Sequence, residues 1–407
     1  MKKIFFKSIA FAAAAIATFT LSSCDDSDNN MMDMSFQRTI TFENVVAPKD
    51  FVQSGSFQGT GNPPIILPGQ SVSITFSAGK TQALMFATMY GASKDWFFAS
   101  QQPGIKLFDG NGIAITGDVS SSVLLWDNGT KDNMTGQAES KPIMQVPNVN
   151  ASQLMKLNLA YNNVTSEFTL TITNTSGGTA NETPFSPGVW AVSNYNGSQL
   201  LNSTPFFMPN TLSNPEITDI AQMGNITKMM TKLTANTGIM TGLSPALVVV
   251  YRGDKNPIYE LGKADTGMGL KEIAQAGNVT KLQNSLKALP NVKGVYVAGS
   301  APVAPGNKVM TNFKADPGDK IAYATMFGFS NDWFYANEQM IEANSKGDIT
   351  SKTTLFDSGT GVDQYPGAGN RQALFGGTPQ SENMVISKVG SFYPVPPVQN
   401  VIKVTVN

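Results

Sequence analysis

Ala87-Thr88-Met89-Tyr90-Gly91-Ala92-Ser93-Lys94-Asp95-Trp96-Phe97-Phe98-Ala99 returns later in the chain as Ala324-Thr325-Met326-Phe327-Gly328-Phe329-Ser330-Asn331-Asp332-Trp333-Phe334-Tyr335-Ala336. Downstream of the first copy, Gly117-Asp118-Val119-Ser120 leads to Leu125-Trp126-Asp127-Asn128-Gly129-Thr130. Downstream of the second, Gly347-Asp348-Ile349-Thr350 leads to Leu355-Phe356-Asp357-Ser358-Gly359-Thr360. Two long motifs recurring in the same order imply duplication of a whole domain. Around them, the stretches 71–76, 167–172 and 401–406 alternate apolar and polar residues with the period of a half-buried strand. Gly and Pro, 37 and 23 in number, punctuate these runs. Many short strands between turn signals predict a mainly β chain built as two tandem antiparallel β-sandwiches.

The seam is expected near Tyr161-Asn162-Asn163-Val164, which gives one sandwich over residues 36–163 and a second over 164–407. On that reading 154–159 closes the first copy and 168–172 opens the second. A smaller repeat lies between the motifs. Ser186-Pro187-Gly188-Val189-Trp190 is echoed by Ser244-Pro245-Ala246-Leu247-Val248. Ile220-Ala221-Gln222-Met223-Gly224-Asn225-Ile226-Thr227-Lys228 is echoed by Ile273-Ala274-Gln275-Ala276-Gly277-Asn278-Val279-Thr280-Lys281. Each echo reads as two short helices, with Gly224 and Gly277 as left-handed terminators and Asn225 and Asn278 as N-caps. These helices are expected as a structural insertion, about 214–290, in the second sandwich. Met229-Met230 is expected as helix filler, and Met31-Met32 as part of a tether.

Composition narrows the function. Only 14% of residues are charged, against about 25% in an ordinary soluble domain. The 28 Lys and Arg nearly cancel the 29 Asp and Glu, so no basic face invites nucleic acid. His is absent. Serine and cysteine triads that use His, and HExxH zinc sites, are therefore excluded. Cys24 is the only Cys, so no disulfide can form within one chain.

The N-terminus reads as an export signal. Lys2, Lys3 and Lys7 precede an apolar stretch, 9–21, too short for a bilayer, which needs about 20 residues. It ends in Leu21-Ser22-Ser23-Cys24, which resembles the lipobox of bacterial lipoproteins, with Cys24 as the lipid-attachment residue. Residues 1–23 are thus expected as a signal peptide and 24–35 as a disordered tether. The acidic run Asp25-Asp26-Ser27-Asp28 resembles the surface-export signal of Bacteroidetes lipoproteins. The expectation is an outer-membrane lipoprotein displayed on the cell surface and held by its lipid.

The ordered motifs together resemble a pair of spondin N-terminal domains. The match is fullest in the second copy, from Ser186-Pro187-Gly188-Val189-Trp190 through Gly269-Leu270-Lys271-Glu272-Ile273-Ala274, Asp332-Trp333-Phe334 and Asp357-Ser358-Gly359-Thr360. The resemblance implies calcium-binding antiparallel sandwiches, similar to membrane-docking calcium domains and found in extracellular adhesive proteins. It also places calcium on the Asp of Asp-Trp, here Asp95 and Asp332, and on the first acid of the turn, here Asp127 and Asp357. The family's second turn acid falls on Lys131 and Gly361, which supply no carboxylate; Asp132 and Asp363 stand nearby as replacements. Two roles are open to these Asp residues: cation ligands, or turn formers that accept backbone N–H groups. In the first copy, Lys131 is expected to pair with Asp127 or Asp95 in place of a metal.

The aromatic runs 96–98 and 333–335 are expected to pack in the cores rather than stack on sugars. The functional expectation is an adhesion or binding module for an extracellular protein or glycan, not an enzyme. The alternatives are a carboxylate-dependent glycan hydrolase and a purely structural envelope protein.

Overall fold

The computed structural model describes residues 34–100, 103–196, 199–200 and 206–407. The export signal, Cys24, Met31-Met32 and nearly all of the expected tether lie outside the described residues. The protein is mainly β, and its principal strands form two sandwiches of antiparallel sheets. In chain order these strands are β1 (Phe36–Asn44), β2 (Phe51–Phe57), β3 (Ser71–Ser77), β4 (Ala83–Tyr90), β5 (Trp96–Ser100) and β6 (Val123–Asp127). They continue as β7 (Met155–Asn162), β8 (Glu167–Asn174), β9 (Phe185–Ser193), β10 (Ala246–Tyr251), β11 (Val292–Ala298) and β12 (Lys308–Ala315). The last are β13 (Lys320–Met326), β14 (Trp333–Asn337), β15 (Thr353–Asp357) and β16 (Ile402–Val406).

The first sandwich pairs a small sheet, β3-β8-β7, with a larger one, β2-β9-β4-β5-β6. The second pairs β12-β1-β16 with β11-β10-β13-β14-β15. Strand for strand the two are the same design, and a short Gly-Asp strand, Gly117–Asp118 or Gly347–Asp348, extends each small sheet at the same edge.

The small sheets alternate because one face meets the opposite sheet and the other meets water. Along β8 every second residue, Phe168, Leu170, Ile172 and Asn174, is buried. The large sheets do not alternate. β10, Ala-Leu-Val-Val-Val-Tyr, is buried along its whole length, as is β14. Their second faces are covered by helices.

The covering helices are α1 (Pro215–Met223) and α2 (Thr227–Asn236) on the first sandwich, and α3 (Leu270–Ala276) and α4 (Thr280–Lys287) on the second. Ile217, Ile220, Met229 and Leu233 pack on Met85, Phe97 and Val189, whereas Ile273, Leu282 and Leu286 pack on Val249, Ala322 and Phe334. The helices are thus shared, one pair to each sandwich, and do not form a single insertion in the second. Gly224 and Gly277 end the first helix of each pair with φ of +64° and +67°. A Cβ on either would lie 2.6 Å or 2.8 Å from the Cβ of Ser186 or Ser244. That contact explains why the Ser-Pro and Gly-Asn motifs recur together. Asn225 and Asn278 lie one residue before the N-cap, and each Oδ1 accepts the N–H of the following Thr, Thr227 or Thr280.

Strand pairing places the junction elsewhere than residues 163/164. Those residues form the tight turn of the β7–β8 hairpin, in which Tyr161 faces Phe168 and Asn162 faces Glu167. β8 therefore closes the small sheet of the first sandwich. β1 takes the equivalent place in the second, between β12 and β16, with Ile40 opposite both Thr311 and Val406. The two copies have exchanged strands relative to their linear order. Asn44 secures the end of β1: its Nδ2 donates to the carbonyls of Thr241 and Val303, at 2.9 Å each.

The aromatic runs pack in the cores except at half-buried Trp96: Phe97, Phe98, Phe334 and Tyr335 are fully buried, and Trp333 nearly so. Among the described residues, no helix is long and apolar enough to cross a membrane.

Candidate functional site

In the second sandwich, the pairing of β14 with β15 sets Trp333 opposite Asp357. Asp332, just before β14, thereby comes to the start of the Asp357–Gly361 turn. Its Oδ2 accepts from Ser358 Oγ at 2.8 Å, Thr360 N at 2.7 Å, Thr360 Oγ1 at 3.2 Å and Gly361 N at 2.9 Å. Its other oxygen, Oδ1, is buried and has no hydrogen-bond partner. Asp357 Oδ1 accepts from Gly359 N at 2.7 Å, the bond that opens an Asx-turn. The turn-forming role is thus filled by Asp332 Oδ2 and Asp357 Oδ1, and Asp332 Oδ1 is left without a partner.

The third carboxylate of the group comes from Glu382. One oxygen each of Asp332, Asp357 and Glu382 lie within 4.8 Å of one another. Glu382 reaches the site because the chain returns alongside the turn: Gly361 bridges Ser381, and Glu382 N donates to Thr360 O. A side chain could not come from position 361 itself. A Cβ there would lie 2.8 Å from Pro379 Cβ and 3.3 Å from Gln275 Nε2.

Asp363, the replacement expected from sequence, is near enough to feel the others. Burial first, and then the charges of Asp357 and Asp332, push its carboxyl up to about 8. Burial and Asp332 push Asp357 up to about 7. Burial also raises Asp332, against the pull of its four donors, and burial together with Asp332 raises Glu382. None of the four forms an ion pair among the described residues. The second sandwich thus gathers carboxyl groups whose joint ionisation burial and mutual proximity oppose, and Asp332, Asp357 and Glu382 among them could hold a metal ion.

The first sandwich has the same frame with different partners. Asp95 Oδ2 accepts from Thr130 N at 2.7 Å, Thr130 Oγ1 at 3.0 Å and Lys131 N at 2.7 Å, and its Oδ1 is likewise unpartnered. Asp127 Oδ1 accepts from Gly129 N at 2.8 Å. Its Oδ2 is taken by Trp96 Nε1 at 3.1 Å and Asn133 Nδ2 at 2.8 Å. Asp132 turns into its own loop, accepting from Met134 N, Thr135 N and Thr135 Oγ1. Glu139 occupies the position of Glu382, since its N–H donates to Thr130 O, but its carboxylate pairs with Lys141. The Lys131 group that touches Asp95 is the backbone N–H, and Lys131 forms no ion pair among the described residues.

The covering helices buttress both turns. Gln222 Nε2 donates to Thr130 Oγ1 at 2.8 Å, and Gln275 Nε2 to the carbonyl and Oγ1 of Thr360 at 3.0 Å each. The Gln of the small repeat thus holds the Thr of the large one. Glu382 and these glutamines escaped the sequence reading. The recurrence of Gln222 and Gln275 was the available signal, whereas nothing in the spacing marks Glu382. No protein-family model matches the chain, and no curated protein matches it in sequence.

Proposed function

We propose that the second sandwich binds one calcium ion through Asp332, Asp357 and Glu382, with Asp363 beside them. We further propose that the chain is a lipid-anchored, surface-displayed binding module built on two spondin-like sandwiches. The observation that carries the metal reading is the buried, unpartnered Asp332 Oδ1 beside two further carboxylates. Every donor is a hard oxygen, and neither His nor a second Cys exists in the chain, which favours calcium over zinc or copper. Calcium accepts irregular coordination shells and water ligands, as a site of three carboxylates from separate segments requires. In the first sandwich Asp95 Oδ1 is also unpartnered, but Trp96 and Asn133 occupy Asp127 Oδ2 and Lys141 pairs with Glu139, so the neighbouring carboxylates are taken.

The test is to screen the mature chain against arrayed glycans and extracellular matrix proteins in millimolar calcium and again in chelator. Expected is retention of at least one class of ligand that weakens in chelator, with Asp357→Asn reproducing the chelator result. Capture of nothing in either buffer would remove the binding-module reading. Polysaccharide cleavage abolished by a single carboxylate substitution would replace it with the hydrolase.

A further inference from the structure

The segment that leaves the metal-site turn crosses to the other sandwich. Residues 362–377 form a strap whose second residue is Asp363. Gln364, next in the chain, donates its N–H to Asn331 Oδ1 at 3.0 Å, and Asn331 is the neighbour of Asp332. Gln364 Nε2 then donates across the junction to the carbonyl of Val164, in the β7–β8 turn, at 2.9 Å. Asn370 N donates to Ser166 Oγ in the same turn at 3.0 Å. Gln82, from the first sandwich, donates its Nε2 to Gly367 O at 2.9 Å. Ala368 is a member of the first core, and Tyr365 packs against both. The Phe375 ring lies so close to Gly79 that a Cβ on the glycine would fall 2.2 Å from it.

The polar groups on this path, Asn331, Gln364, Gln372 and Gln82, are buried, and Gln372 Nε2 holds Tyr365 O at 2.9 Å. Buried polar networks have few alternative arrangements, so displacement at one end is felt at the other. Among the described residues, the first sandwich sends no such strap back. Lys94 stands in its motif where Asn331 stands in the second, and the loop beyond Thr130 folds on itself through Asp132 and Thr135.

We propose that cation binding at the second site fixes the junction between the two sandwiches through this strap. The inference rests on the reading that the site holds a cation. Without a cation, no shared ligand ties the carboxylates of Asp332, Asp357 and Glu382, which come from separate segments, to one another beside the stretch that sets Gln364 against Asn331 and Val164. A cation that takes a carboxylate from each segment binds them together and holds the strap in place. Calcium thus governs how two rigid sandwiches are presented to a ligand that spans them. By linkage, weakening the strap from the first-sandwich side lowers calcium affinity by the same factor as calcium tightens the strap.

The experiment is amide hydrogen exchange on the full mature chain, with calcium and with chelator, alongside a calorimetric calcium titration. Calcium is expected to slow exchange not only at 362–377 but across the junction at 77–83 and 164–170, by about 5-fold or more, the low end of common coupling. Gln82→Ala, which touches no carboxylate of the site, is expected to keep one calcium site at an affinity lowered about 5-fold or more. Absence of any calcium heat in the wild type overturns the metal reading and this inference together. Calcium heat with unchanged exchange at 77–83 and 164–170 leaves the metal site standing and overturns the coupling. Unchanged calcium affinity in a folded Gln82→Ala also overturns it.

Discussion

Replacing Phe42 by Ala should destabilise the sandwich that lies furthest from it in sequence. Phe42 is 1% exposed, in the middle of β1, and meets Tyr323 of β13 edge-on with ring centroids 5.2 Å apart. Truncating such a buried ring costs about 3–5 kcal/mol, because the cavity left behind collapses only in part. For a unit of 150–250 residues each kcal/mol lowers the melting point by about 2–4 °C, so the second sandwich should lose about 6–20 °C. Phe168→Ala is the mirror experiment. Phe168, fully buried in β8, stacks on Phe76 of β3 at 5.8 Å and should weaken the first sandwich instead. Residue-resolved hydrogen exchange on the mature chain reads both variants. Phe42→Ala should speed exchange in β13 and β16, and Phe168→Ala in β3 and β7. Linear halves would give the opposite assignment, and that result would refute the strand exchange.

In chelator, stability should fall as pH rises from about 4 to about 8, as followed by thermal melts. The folded carboxyls of Asp357 and Asp363, pushed up to about 7 and about 8, retain protons that the unfolded chain has already released near its ordinary carboxylate value of about 4. Saturating calcium should flatten that decline. Gly277→Ala should cost more than about 1 kcal/mol in denaturant titration, since it demands a left-handed alanine against Ser244, while a substitution at exposed Gly306 lacks the contact and should cost less. Cys24→Ser should abolish lipid labelling and release the protein from membranes in fractionation; unchanged membrane partitioning would end the lipoprotein proposal.

The mainly β class was legible because the one-sided sheets announce themselves. The stretches 71–76, 167–172 and 401–406 all fall in the small sheets or at their edge, where water on one face enforces alternation. β10 and β14, covered on both faces, carry no such period and were visible only as apolar runs. The seam misled for a related reason. A duplicated chain gives the order of its segments but not which copy each strand joins, and β1 and β8 satisfy either sheet by pattern alone. Asp332 and Asp357 could be paired in advance because each copy repeats them on what become neighbouring strands. Glu382 could not, since it depends on the bridge between Gly361 and Ser381, a contact with no periodicity. Lys131 was expected to pair with Asp127 or Asp95 in the first copy, and it pairs with neither through its side chain. Instead, the neutral donors Trp96 and Asn133 occupy Asp127 Oδ2, and Lys141 pairs with Glu139.

Calorimetric titration of the mature chain with calcium, repeated on Asp357→Asn and on Asp127→Asn, tests the metal centre most directly. One ion should bind per chain, with binding lost in Asp357→Asn and retained in Asp127→Asn. No binding, two equivalent ions, or loss of the ion on substituting Asp127 alone would contradict a single calcium site in the second sandwich.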